Sequence, residues 1–165
     1  MAERAINVLF LCTANSSCSI LAESILKHFD KERFNAFSAG CLPAGKVDAF
    51  ALELLEKMHY PTSGLHSKSV EEFAASDAPR LDFVLTVCDD AAQSIRTVWA
   101  GQPMTAHWGV ENVSAAKEVN EAKRYAILAA FRVLRRRIGL FVGLPIDRLD
   151  TLALRRRLNA IGQVL

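Results

Sequence analysis

The chain has 165 residues, 51% of them apolar, with a formal net charge of +2, which suits one domain with a sizeable core and gives no charge-driven reason to expect a nucleic-acid or membrane partner. It has no uninterrupted apolar span of about 20 residues, and its opening MAERAIN lacks the apolar segment of a secretory signal, so the expected compartment is the cytoplasm. Its four cysteines, at 12, 18, 41 and 88, form no CxxC pair and no Cys/His group at zinc spacing, which predicts free thiols and neither a structural metal nor a cofactor.

In chain order, Ile6 to Leu11 is an apolar run broken only by Asn7, as a strand buried on both faces requires. A loop of small and polar residues follows Cys12. Ser16 to Phe29 then reads as a helix with Ile20, Leu21, Ile25 and Phe29 on one face. Phe34 to Ser38 predicts a second strand, stopped by Ala39-Gly40, and Val47 to Met58 a second helix. Ser69, with Glu72 three residues on, reads as the capping box of a short helix ending at Phe73. Asp82 to Cys88 and Met104 to Trp108 predict strands three and four. Helical spacing of Ala122, Tyr125, Ala126, Ala129, Ala130, Val133, Leu134, Ile138 and Phe141 predicts a long helix over 120–141. After Gly143 and Pro145, residues 147–161 predict a final helix within a C-terminal extension of about 145–165. Strands alternating with helices imply an α/β fold, a four-stranded parallel sheet flanked by helices in flavodoxin-like layering, as a single domain over 1–165.

Chemistry concentrates at the first turn. In a strand–loop–helix unit the loop amides face the space before the helix N-terminus, where the helix dipole favours an anion, and a cysteine in that field is expected to have a lowered pKa. Thr13, Ala14, Asn15, Ser16, Ser17 and Cys18 are the candidate oxyanion-binding residues, with Cys12 as nucleophile; the other reading of Cys12 is a small buried residue at a strand end. Cys88 closes the third strand as Cys12 closes the first, and ligands of α/β sheets bind at such carboxyl ends.

The run Cys12-Thr13-Ala14-Asn15-Ser16, with Ser19-Ile20-Leu21-Ala22-Glu23 after it, resembles the signature loop of the low-molecular-weight protein tyrosine phosphatases and of the thioredoxin-coupled arsenate reductases that share their fold. The family pattern is Cys, five residues, Arg, Ser. Here Ser19 keeps the serine that hydrogen-bonds the thiolate, but Cys18 stands at the arginine that grips the oxyanion. Losing two charge-assisted hydrogen bonds of about 1.5–3 kcal/mol each implies a rate loss on the order of 10²–10⁴. Cys18 is either a redox partner of Cys12 or a plain substitution. Alignment through Gly101 to Val110 puts Asn112-Val113 where the phosphatases carry an Asp-Pro pair, and an amide cannot serve as their general acid.

Thr86-Val87-Cys88-Asp89-Asp90 resembles the segment holding the second redox cysteine of the arsenate reductases; the alternative for Cys88 is a packed thiol. Their third cysteine would fall within Ser94 to Thr97, where none stands. The resemblance implies binding of arsenate, phosphate or a phosphotyrosine-like oxyanion and a thioredoxin or glutaredoxin partner. It leaves two functional readings, an arsenate reductase or phosphatase-like enzyme and a catalytically impaired oxyanion-binding or redox-sensing module. Lys68 is read as added charge near the site and Cys41 as incidental, while Arg135-Arg136-Arg137 and Arg155-Arg156-Arg157 are read as solvated helix faces.

Overall fold

The computed structural model describes residues 5–88, 102–110 and 120–165. Four strands, β1 (Ile6–Cys12), β2 (Phe34–Gly40), β3 (Phe83–Thr86) and β4 (Met104–His107), form one parallel sheet in the order β2-β1-β3-β4. Among the described residues stand the helices α1 (Cys18–Asp30), α2 (Ala49–Lys57), α3 (Asn120–Val142) and α4 (Thr151–Ile161). This is the predicted four-stranded α/β architecture. The chain leaves β1 toward β2 on one side and returns to β3 on the other, so strand order reverses at the carboxyl end of β1, where such sheets bind ligands.

β1 is central, and alternation divides its side chains between two apolar clusters. Val8, Phe10 and Cys12 face the larger one, with Ile20, Leu21 and Ile25 of α1 and Phe131, Leu134, Ile138 and Phe141 of α3. Leu9 and Leu11 face the other, with Ala39, Val84, Leu81 and Phe73. Trp108 lies fully buried against Phe141 and donates its ring N–H to the Leu158 carbonyl at 2.9 Å, which docks α4 beside β4. Gly162 completes that docking, because a Cβ there would stand 2.8 Å from the His107 carbonyl oxygen.

Element boundaries differ from the sequence reading for local reasons. α1 begins at Cys18 rather than Ser16 because Asn15 adopts φ 48°, which prolongs the loop. α2 begins after Asp48, whose carboxylate accepts the N–H groups of Phe50 and Ala51 at 2.8 and 3.3 Å, a cap the apolar periodicity did not reveal. Ser69 caps as expected, but its hydroxyl takes the Glu71 N–H, because Val70–Phe73 is a 3₁₀ turn. Strand hydrogen bonding continues past β3 through Val87 N–H to the Leu11 carbonyl, so Cys88 lies just beyond the ladder. The final segment is split into a 3₁₀ turn over Ile146–Arg148 and α4, which is capped by Asp150.

The stripe on α3 is corrected at its first half. Ile127, Ala130, Phe131, Leu134, Ile138 and Phe141 are buried, whereas Ala122, Tyr125 and Ala129 are exposed. Alanines at helical spacing carried little orienting information, and the larger Ile127 and Phe131 set the face that packs. Arg137 is a second correction. It is buried, not solvated: its guanidinium donates to the carbonyls of Trp108, Gly109 and Val164 at 2.9, 3.2 and 2.8 Å.

Candidate active site at the carboxyl end of the central strand

The Cys12–Cys18 loop is clamped from one side. Cys41, Leu42, Ala44 and Asp48 donate their N–H groups to the carbonyls of Cys12, Thr13, Ala14 and Ser16 at 3.2, 2.8, 2.9 and 2.9 Å. The Ser67 hydroxyl also donates to the Ala14 carbonyl at 3.1 Å. Since the C=O and N–H of one trans peptide point opposite ways, this clamp turns the N–H groups of Thr13, Ala14, Asn15 and Ser17 the other way. One of them, that of Asn15, reaches the Cys12 Sγ at 3.1 Å. The clamp requires close approach to β2. A Cβ at Gly40 would lie 2.6 Å from the Thr13 carbonyl oxygen and 2.9 Å from the Asn15 nitrogen, so only glycine fits there without a shift.

Cys12 Sγ lies 2.9 Å from the Ser19 hydroxyl oxygen. Which atom donates follows from the partners. The Lys68 backbone N–H donates to Asn15 Oδ1 at 2.8 Å, which fixes the amide with Nδ2 toward Ser19, to whose oxygen it donates at 2.8 Å. An N–H cannot accept, so the Ser19 hydroxyl proton is left to point at the Cys12 sulfur. Asn15 is fully buried, and its left-handed backbone suits an asparagine better than a branched residue.

Burial pushes the Cys12 thiol up, and nearby Cys88 adds to the rise; the hydroxyl and N–H of Ser19 and the N–H of Asn15 pull it down by less. This corrects the lowered pKa expected from the loop and the helix dipole. Desolvation of the thiolate outweighs neutral donors.

The structure places the other candidates as follows. Thr13 is half-buried, with Oγ1 3.4 Å from Cys88 Sγ, which joins the loop to the end of β3. Cys88 and Cys18 are buried in the same apolar cluster as Cys12. Cys18 is the first residue of α1, and Ser17 just before it is buried. Ala14 and Ser16 hold the loop through their carbonyls. Asn112 and the Ser94 to Thr97 segment lie outside the described residues.

Lys68 does not aim at the Cys12 sulfur. Its ammonium donates to the His66 carbonyl at 2.8 Å and to the Ser38 hydroxyl at 3.3 Å, and it lies 3.6 Å from the buried Glu23 carboxylate. Glu23 also accepts from Ser38 and Lys27, at 2.6 Å each. This network sits under the loop and fixes the segment whose amide orients Asn15. In the sequence Glu23 and Lys27 show only an i,i+4 helical pair; the part that reaches Ser38 and Lys68 depends on β2 and the segment before Ser69 and is not legible there.

The pattern of the low molecular weight phosphotyrosine protein phosphatase family matches residues 7–126. An arsenate reductase of Bacillus subtilis is 28% identical over 138 residues, 80% of this chain and 88% of that protein. Among solved structures, a low molecular weight protein tyrosine phosphatase from T. tengcongensis superposes with a TM-score of 0.63 at 22% identity, covering 88% of this chain and all of that one. A thioredoxin-dependent arsenate reductase of Corynebacterium glutamicum does so with a TM-score of 0.57 at 22% identity, over 86% of this chain and 65% of that one. Both superpositions confirm the fold. With its strand order, its Cys12 loop and a family pattern that spans most of its length, the chain belongs to the low molecular weight phosphotyrosine protein phosphatase family.

Proposed function

We propose that the chain binds a tetrahedral oxyanion, arsenate or phosphate, in the Cys12–Cys18 loop, and that it is an arsenate reductase-like thiol enzyme with weak phosphatase activity. The observation that carries the reading is the pairing at one sheet end of Cys12, held by Asn15 and Ser19, with Cys88, joined to the loop by Thr13. The Cys12 thiol passes its proton to a hydroxyl of arsenate as its sulfur attacks arsenic, and that hydroxyl leaves as water. Cys88 then attacks the Cys12 sulfur; the S–As electron pair passes to arsenic, which leaves as arsenite, and a Cys12–Cys88 disulfide remains. Two thiols are oxidised and one arsenic is reduced. A dithiol protein of the thioredoxin or glutaredoxin class restores the thiols, a partner suggested by the thioredoxin-dependent relative.

The same loop is poorly equipped for phosphomonoesters. Cys18 supplies no guanidinium to the equatorial oxygens, and Asn112 supplies no acid to the leaving group. The elevated Cys12 pKa favours a second reading, an impaired oxyanion-binding or redox-sensing module. Arsenate turnover with dithiothreitol or thioredoxin, beside hydrolysis of an aryl phosphate, separates the two. Arsenite release that Cys12→Ser abolishes supports the enzyme. No turnover of either substrate, with oxyanion affinity intact in Cys12→Ser, leaves the binding module.

A further inference from the structure

Among the described residues, the Cys12–Cys18 loop offers an anion no fixed positive charge of its own. Its donors are the N–H groups of Thr13, Ala14, Asn15 and Ser17, turned away from the clamp, and the Ser19 hydroxyl, all neutral. The first turn of α1 is Cys18, Ser19, Ile20 and Leu21, and the basic residues of that helix come only in its last turn, at Lys27 and His28. Cations on the elements packed around the loop are committed elsewhere. Lys68 spends its ammonium on the His66 carbonyl, the Ser38 hydroxyl and the Glu23 carboxylate, and Lys27 meets the same carboxylate. Lys123 is held by Asp48 of the clamp segment. Lys46 and His66 stand exposed, where water and salt screen their charge. The other titratable groups at this end of the sheet are the thiols of Cys12, Cys18, Cys41 and Cys88.

The walls of the loop are also dry. Asn15 and Ser19 are 0% exposed, Ser17 1% and Cys18 4%, so an ion that enters gives up much of its water. The cost of removing that water grows with the square of the ionic charge, whereas attraction to fixed neutral dipoles grows only in proportion to it. A guanidinium would tip the balance toward a doubly charged ligand. The Cys18 thiol, a single weak donor, does not. Burial also keeps Cys12 a thiol at neutral pH, against the smaller pull of Ser19 and Asn15. A ligand that still carries hydroxyls gives that thiol a group to receive its proton.

We propose that the loop selects its tetrahedral oxyanion as the monoanion, dihydrogen arsenate or dihydrogen phosphate, and discriminates against dianions. This rests on the loop as the oxyanion site. The residue that sets the selectivity is Cys18, because it stands where a cation would otherwise meet the ligand. Above neutral pH free phosphate is mainly the dianion, so binding it there takes up a proton from solvent. Sulfate, which has no such proton to take, is a poor ligand at any pH at which the chain is folded.

The test is calorimetric titration of the reduced full chain with inorganic phosphate and with sulfate at pH 5.5 and pH 8.5, at one ionic strength and in two buffers of different ionisation enthalpy. Phosphate affinity is expected to fall at least tenfold between the two pH values, with about one proton taken up per phosphate at pH 8.5 and none at pH 5.5. Sulfate is doubly charged at both. It is expected to bind at least tenfold more weakly than phosphate at pH 5.5 and to change less than threefold with pH, which separates the charge of the ligand from titration of the protein. In Cys18→Arg, phosphate affinity at pH 8.5 is expected to rise at least tenfold and the proton uptake to disappear. Should that variant not fold, the wild-type titrations decide alone. Wild-type phosphate affinity equal or higher at pH 8.5 overturns the proposal and leaves the oxyanion site standing, as does sulfate bound as tightly as phosphate at pH 5.5 or a folded Cys18→Arg without the rise. Binding of neither anion at either pH overturns the proposal and the oxyanion site together. If phosphate shows the expected profile while arsenate is not turned over, the selectivity stands and the reductase reading fails.

Discussion

Cys12 is held by a hydroxyl and two N–H groups, all neutral, inside a site that excludes most water. A thiol raised by burial keeps its proton in the folded chain at a pH where the unfolded chain, titrating at about 8.5, has lost it. Its contribution to stability is therefore full below the ordinary thiol value and declines as pH rises above it. Urea unfolding of wild type and Cys12→Ser at pH 7 and pH 9.5 is expected to show the larger loss in wild type. Iodoacetamide should label Cys12 slowly at pH 7, with a rate still climbing above pH 9. Cys18→Arg tests the missing charge directly. A guanidinium in the loop is expected to bring the Cys12 alkylation midpoint down and to raise aryl phosphate hydrolysis more than tenfold; a smaller rise counts against the missing arginine as a main limit.

At the scale of elements, the loop is shaped as much by β2 and the segment after it as by its own residues. The apposition at Gly40 has backbone atoms on the other side, which cannot swing away as a side chain would. Gly40→Ala is expected to cost about 1–3 kcal/mol, the range for overpacking a filled site. It should displace the Thr13 carbonyl and Asn15 amide together, so a fall in melting temperature accompanied by altered Cys12 labelling is the expected pair of results. A melting change with unaltered labelling would show that Gly40 does not set the loop. The Asp48 cap adds a link of another kind: its carboxylate starts α2 and also meets the Lys123 ammonium of α3 at 2.5 Å, so the segment that clamps Ser16 is anchored to the long helix.

Across the whole molecule, Arg137 links three distant parts of the chain. It joins the residues after β4 to α3 and to the C-terminal segment through three backbone carbonyls. Replacing it with Met keeps most of the packing volume but leaves those carbonyls to find other donors, at an expected cost of about 3 kcal/mol. Denaturant unfolding of Arg137→Met checks this, and Arg135→Met is the control, because Arg135 is exposed. Equal effects of the two variants would refute a structural role for Arg137. Gly162 and Trp108 support the same docking, so a chain ending before α4 is expected to expose Trp108 and to show red-shifted fluorescence.

Fold class, strand order of appearance and the Cys12 loop were legible in the sequence because they rest on local patterns: an apolar run, a polar loop and helical periodicity within a few residues of one another. The place of Cys88 followed as well, since a strand end in a parallel sheet is defined by the strand alone. What the sequence could not decide depends on partners far along the chain. Arg137 looked like one of three equivalent cations until the carbonyls of Trp108, Gly109 and Val164 came to meet it. The lowered pKa expected at Cys12 was a statement about a dipole and ignored burial, which is set by the packing of α1 and α3 over β1. Cys41 stands 29 positions from Cys12 and 47 from Cys88, and its N–H bond to the Cys12 carbonyl follows from the pairing of β1 with β2. Only the parallel register sets all three thiols at one end of the sheet, because hydrogen bonding between strands aligns residues that sequence separation keeps apart.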